Sequence, residues 1–246
     1  MMGRLLLPTV CSVLIANAAH ATMSFDVSGL AGTGVTAHID FQYVSGGATG
    51  GTLTIDIKNT TPNSGDTTGA FITGFGFNTP ELLGGSITSI GGDVDDAGAQ
   101  ANTALGAPNE SGWRVRYDQD NIKTNNGAGF LDFGVLNHNV VNSFITGGVG
   151  SPSAPKITPD ETTTFTLAVV GAGLGGLSES DFLNSLSVDG NAGAFNFAVR
   201  FQGIGPNGNS DMAVGTVNHV PVPGAVVLGC LGFGLAGAWS RNKKLA

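Results

Sequence analysis

The strongest constraint on this chain is a period of two. Over residues 35–43 the odd positions are apolar or aromatic (Val35, Ala37, Ile39, Phe41, Tyr43) and the even ones polar (Thr36, His38, Asp40, Gln42). Successive side chains of an extended strand point to opposite faces, so such a segment buries one face and wets the other. The same alternation runs through 52–58, 113–117, 165–169 and 195–202. Weaker strand signals cover 70–77, 86–90, 130–136, 140–145, 183–188 and 212–217. Together these predict about eleven strands, separated by clusters of Gly, Asn, Asp and Pro. The fold class is all-β, a single β-sandwich with jelly-roll-like connections. Helical character is confined to 178–184, where Ser178 stands three residues before Asp181, the spacing of an N-cap and its acidic partner. The longer loops are expected at 59–69, 91–112, 118–129 and 147–162.

Composition fits a folded, exported β-domain. Gly (40) and Pro (10) make up about a fifth of the 246 residues, below the roughly 25–30% that marks disordered chains. Residues 22–219 are enough for one domain with its own core. Both cysteines, Cys11 and Cys230, fall outside that body. No disulfide can staple it, and its stability must come from buried apolar area. All 18 acidic residues lie in the body but only six of the ten cations do, an excess of twelve negative charges. A surface of that sign repels nucleic acid and anionic lipid, which excludes nucleic acid as a partner.

The two ends read as targeting segments. Arg4 precedes an apolar run over 5–16, and Ala19-His20-Ala21 supplies the small-x-small cleavage pattern. That order is a secretory signal peptide, residues 1–21, cut after Ala21. At the other end residues 224–239 carry no charge. As a helix they would span about 24 Å, and residues 220–223 help to reach the roughly 30 Å of a bilayer core. Arg241, Lys243 and Lys244 follow, the flank expected on the cytoplasmic side of a span. The domains are therefore 1–21, 22–219 as ectodomain, and 220–246, with a transmembrane helix at 224–239 and a basic tail.

The succession Val220-Pro221-Val222-Pro223, a Gly-rich apolar segment and a terminal basic cluster resembles the PEP-CTERM sorting signal of Gram-negative bacterial surface proteins. The resemblance covers about 25 of the 246 residues. The commonest motif of that family reads Pro-Glu-Pro, and here Val222 stands between the prolines, as in variants that lack the acid. The resemblance implies recognition by an exosortase-like membrane protease, export through the inner membrane, anchoring, and then a place at the cell surface or in the extracellular matrix. The body is also generally similar to the β-rich ectodomains that precede such tails. That similarity lies in residues 53–61 (LTIDIKNTT), 73–78 (TGFGFN) and 199–204 (VRFQGI) followed by Ser210-Asp211. It implies a shared fold type and brings no catalytic residues.

Groups that could carry chemistry are scattered. Asp93, Asp95 and Asp96, and again Asp118 and Asp120, place oxygen ligands as a calcium loop does. The twelve-residue calcium loop would require Glu at 104 or 129, where Ala104 and Gly129 stand, so the plain reading is solvated loop acids. His38, His138 and His219 are spaced too widely for a zinc motif, and His38 falls on the polar face of its strand. No thiol is left in the body and no Gly-x-Ser-x-Gly occurs. Gly171, Gly173 and Gly176 match a nucleotide-loop spacing but lack the Lys and long helix that hold phosphate, and so read as a turn. Glu81, Glu110, Glu161 and Glu179 are the only glutamates, and glycoside hydrolysis needs two acids that the fold brings together. Trp113 and Tyr117 share one strand face, either as core or, with the face reversed, as a sugar-stacking platform. Asn59-Thr60-Thr61 and Asn109-Glu110-Ser111 match the N-glycosylation pattern. The expectation is a non-enzymatic surface or matrix protein without cofactor, metal or catalytic residues, its partners the membrane, an exosortase-like protease and extracellular polysaccharide. The alternatives are a carbohydrate- or calcium-binding surface module and, third, a glycan-active sandwich enzyme.

Overall fold

The computed structural model describes residues 22–80, 82–92, 113–124, 129–137, 155–187 and 193–215. In chain order the strands are β1 (Met23–Gly29), β2 (Thr36–Ser45), β3 (Gly50–Asn59), β4 (Phe71–Phe77), β5 (Leu82–Gly92), β6 (Arg114–Lys123), β7 (Phe130–Leu136), β8 (Thr162–Gly171), β9 (Phe197–Ile204) and β10 (Asn209–Gly215). One α-helix, α1 (Glu179–Asn184), lies between β8 and β9. The described chain is all-β, as its alternation predicts. Its strands form one hydrogen-bonded sheet in the order β5-β8-β3-β2-β1-β10-β9-β4-β7-β6, antiparallel at every junction.

Alternation dictates which side of each strand is dry. In β2, Ala37, Ile39, Phe41 and Tyr43 are buried while the residues between them are half-buried. β3 and β8 repeat the pattern in register, with Ile55 opposite Phe41 on one side and opposite Phe165 on the other. Phe41 meets Phe77 of β4 edge to face, ring centroids 5.6 Å apart, although three strands separate β2 from β4 in the sheet. Phe75 meets Phe165 at 4.8 Å in the same way. The sheet therefore doubles back, so that residues from both of its five-stranded halves share one core. Each such ring contributes about 1.5–3 kcal/mol by burial, and each well-placed ring pair about 0.5–1.5 kcal/mol more.

The halves differ in their second faces. On β4, β7 and β9 nearly every residue is buried. Their far side carries a smaller apolar cluster of Ile122, Leu131, Leu136, Phe195, Ala198 and Met212. Close approach there explains a glycine: a Cβ added to Gly74 would stand 2.6 Å from Cδ2 of Leu136 and 2.9 Å from the carbonyl oxygen of Val135. Arg200 lies between Val199 and Phe201, which face the main core. It is itself 5% exposed, and burial lowers its pKa to about 10.

Several expectations change in detail. Strand β1 was not anticipated, although Met23, Phe25 and Val27 alternate with Ser24, Asp26 and Ser28. The sequence predicts a strand over 183–188, but residues 183 and 184 end α1 and 185–187 carry no strand, while 188 lies outside the described residues. The helix forms because Asp181 Oδ2 accepts from both the backbone N–H and the hydroxyl of Ser178, each at 2.7 Å. Phe182 then packs against Phe41 and Tyr43 at 5.9 and 4.8 Å. The first half of the loop expected at 118–129 is strand, because β6 continues to Lys123 after a register shift between Tyr117 and Ile122; residues 125–128 lie outside the described residues. A bulge of this kind absorbs extra residues without ending the strand. The expected strand at 140–145 lies outside the described residues. Among those residues no helix is long and apolar enough to cross a membrane; the segment 224–239, expected to do so, lies outside them. All the described residues belong to one compact unit, Ala21–Pro223.

Candidate functional site

The wet face of β1, β2, β3 and β8 carries a group of titratable side chains, Asp26, His38, Asp40, Asp56 and Lys58. Antiparallel register sets it out in rows: Asp26 faces His38, which faces Lys58, and Ser24 faces Asp40, which faces Asp56, which faces Thr164. Carboxylates directly opposite one another repel, and Asp40 and Asp56 each turn to other partners. The Ser24 hydroxyl donates to Asp40, and Thr164 Oγ1 donates to Asp56 Oδ1 at 2.5 Å. His38 bridges two acids, Nδ1 lying 2.7 Å from Asp26 Oδ1 and Nε2 3.5 Å from Asp40 Oδ1. The trio is a polar ladder across two strands. Ser24 gives its proton to a carboxylate while the imidazole is turned to the acids, so no serine–histidine relay is assembled. Such a surface can offer hydroxyls and carboxylates to a polar ligand, and no Phe, Tyr or Trp stands in its rows.

The other candidates are structural in their surroundings. Trp113 is fully buried and meets Phe165 edge to face at 5.0 Å, and Tyr117 packs against the same core. The sugar-stacking alternative is thereby corrected: Trp113, just before β6, and Tyr117, within it, both turn their rings inward. Asn59 of the glycosylation-like triplet is also buried. Its Nδ2 donates to the carbonyls of Ala70 and Ile157, both at 3.0 Å, and its Oδ1 accepts from Thr61 N at 3.1 Å. Glu179 accepts from Tyr43 N at 3.3 Å and Glu161 from Thr158 N at 2.8 Å, two carboxylates engaged with separate backbone groups. Gly171 ends β8, and Gly173, with φ 77°, opens a one-turn 3-10 helix over Leu174–Gly176, so the nucleotide-loop match is a turn. Among the described residues no group of three His, Cys, Asp or Glu side chains is placed to hold a metal. Asp118 and Asp120 fall within β6; Asp93, Asp95 and Asp96 lie outside the described residues, as do Asn109, Glu81, Glu110, His138 and His219. So do Ala19 and Ala21, the motif Val220, Pro221, Val222 and Pro223, and the basic residues Arg241, Lys243 and Lys244.

One buried polar residue has no counterpart in the sequence reading, and one inward ring of β2 gains a polar role. Asp211, 6% exposed, accepts from Ala31 N at 3.1 Å and from Thr33 Oγ1 at 2.5 Å, fastening the connection between β1 and β2. Tyr43, at one end of the core, donates from its hydroxyl to the carbonyl of Leu174 at 2.8 Å. Burial raises its pKa above the usual 10, and a hydrogen bond with Ser45 pulls it partly back.

What fold and face define is a class: an all-β antiparallel domain with one polar, carboxylate-lined outer face. No protein-family model, no curated protein and no solved structure matches the chain.

Proposed function

We propose that this is an exported, non-enzymatic surface or matrix protein. Its signal peptide, residues 1–21, carries it through the inner membrane of a Gram-negative cell, with Ala19 and Ala21 setting the cleavage. Residues 22–219 fold outside as a β-sandwich. Residues 224–239 tether the body, with Arg241, Lys243 and Lys244 left in the cytoplasm, and the motif Val220, Pro221, Val222 and Pro223 is offered to an exosortase-like protease. The observation that carries this reading is the order of the two terminal signals around a thiol-free body.

The sheet supports the sandwich in two ways. Two halves, divided between β1 and β10, share one core. The pairing is also nested, β1 with β10, β3 with β8 and β4 with β7, as when a long hairpin is rolled up into a jelly roll. The polysaccharide of the matrix is the partner this reading gives to the hydroxyl- and carboxylate-bearing outer face.

Intact-mass measurement of the mature protein tests the reading. In wild-type cells it should lack residues 1–21 and the basic tail, and replacing Pro221 and Pro223 with Ala should leave the tail attached. Protease added to spheroplasts should digest the body. A protected body with a cleaved C-terminal tag would overturn the orientation, and a retained tail in the presence of the protease would reduce 220–246 to a plain anchor.

A further inference from the structure

The last strand of the described chain sits in the middle of the sheet. β10 lies between β9 and β1, pairing Val214 with Ser28 and Ala213 with Gly29 on one side, and registering with β9 from Asn209 to Gly215 on the other. It is buried on both faces as well, since Ala213 belongs to the main core and Met212 to the smaller cluster. Leu30 N donates to the Met212 carbonyl at 2.8 Å, and the Asp211 carboxylate holds Ala31 and Thr33. The fit is tight: a Cβ on Gly29 would stand 2.4 Å from Asp211 Oδ2. Taking β10 away would bare an edge of β1 and an edge of β9, open both apolar clusters, and remove the hydrogen-bonded junction between the two halves.

We infer that β10 is the closing element of the domain: residues 23–204 do not hold the native sheet until 209–215 insert between β1 and β9. A long-range pairing of this kind forms only after its whole intervening chain is available. A chain delivered from its N-terminus therefore stays open until its last strand is free, the state in which a polypeptide threads a membrane channel. That consequence rests on the exported reading; the requirement for β10 does not.

Pro206, Asn207 and Gly208, in the turn between β9 and β10, are exposed, so a protease recognition sequence placed after Pro206 lets β10 be cut from β9 in the folded full-length chain, held in detergent. The nicked chain should stay associated and keep its β-spectrum. After separation in urea, the 1–206 piece alone should show no cooperative unfolding and be digested at least about tenfold faster. Adding the 207–246 piece in equal amount should restore both properties. A 1–206 piece that folds alone overturns the inference, as does a nicked chain whose pieces part without loss of the sheet. In the uncut chain, Ala213→Asp puts a charge in the core. Proteolysis should then spread to the 46–49 turn between β2 and β3, on the other half of the sheet, and cleavage confined to the flanks of residue 213 overturns the inference. Both measurements are made in vitro, so they stand if export fails, and their failure leaves the export reading untouched.

Discussion

The side-chain amide of Asn59 donates to the carbonyl oxygen of Ile157 at 3.0 Å across 98 residues of sequence. Ile157 in turn exchanges two backbone hydrogen bonds with Ile72, at 2.9 and 3.1 Å. One buried amide thus joins the end of β3 to the segment that precedes β8 and, through Ile72, to β4.

Replacing Asn59 with Ala would leave the Ala70 and Ile157 carbonyls without their donor. A buried carbonyl stripped of its partner costs about 1–3 kcal/mol, so with two of them the denaturation midpoint should fall by the equivalent of about 2–6 kcal/mol. Asn59→Asp should be at least as damaging, because a carboxylate presents only acceptors to two acceptors. An unchanged midpoint for either variant would remove Asn59 from the structural argument.

Tyr43 gives the fold an alkaline limit. Its folded pKa lies above the unfolded value of 10, so its contribution is complete below about pH 10 and is lost as pH rises through the folded value. Arg200, whose folded pKa burial lowers to about 10, acts with the opposite sign as the pH rises above that value. Comparison with Tyr43→Phe separates them. At pH 8 the variant should be less stable by about 1 kcal/mol for the lost bond to Leu174, and the gap should narrow as the pH is raised above 10. A gap that stays constant with pH would show that this phenol is not the titrating group.

Trp113 Nε1 is buried without a hydrogen-bond partner among the described residues. Trp113→Phe removes that unsatisfied donor while keeping an aromatic ring against Phe165, so its cost should stay within about 1 kcal/mol. Trp113→Ala empties the site and should cost about 3–5 kcal/mol. Equal losses in urea titrations of the two variants would mean that the indole nitrogen is satisfied in solution.

On the outer face the ladder should matter little to stability. The Asp26 side chain is 77% exposed, and exposed ion pairs are worth about 0–1 kcal/mol. Asp26→Asn and His38→Ala should each move the midpoint only slightly, with differences that fade in high salt. A large, salt-insensitive loss would recast the trio as part of the folding machinery.

Strands with one wet face were legible in the sequence, because two different environments impose a period of two; β9 alternates as well although both its faces are buried, since Asn196 just before it, and Arg200 and Gln202 within it, are polar residues held inside. β2, β3 and β8 show it directly. β4 and β7 were weaker signals for the opposite reason: with both faces dry, their Phe, Gly and Val residues carry no contrast. Asn59 was within reach, since it continues the inward series Leu53, Ile55 and Ile57 of β3, a polar residue where the period demands a buried one. Asp211 offered no such clue. Its role depends on the 29–35 connection lying beside β10, a neighbour about 180 residues away that no local pattern encodes. The strand read at 183–188 failed because a two-residue polar cap and one well-anchored ring outweigh the short apolar run that follows.

Because β1 and β10 run antiparallel with Ser28 opposite Val214, Met23 and Gly215 point toward the same end of the sheet, offset by about 13 Å along the strands. A linker of several residues can join them, and new ends can be opened in the exposed turn at 205–208. Such a circular permutant would emerge from the ribosome with β10 first and β1 directly behind it. The order in which the sheet is built would then be a property of where the chain is cut and no longer of the fold itself.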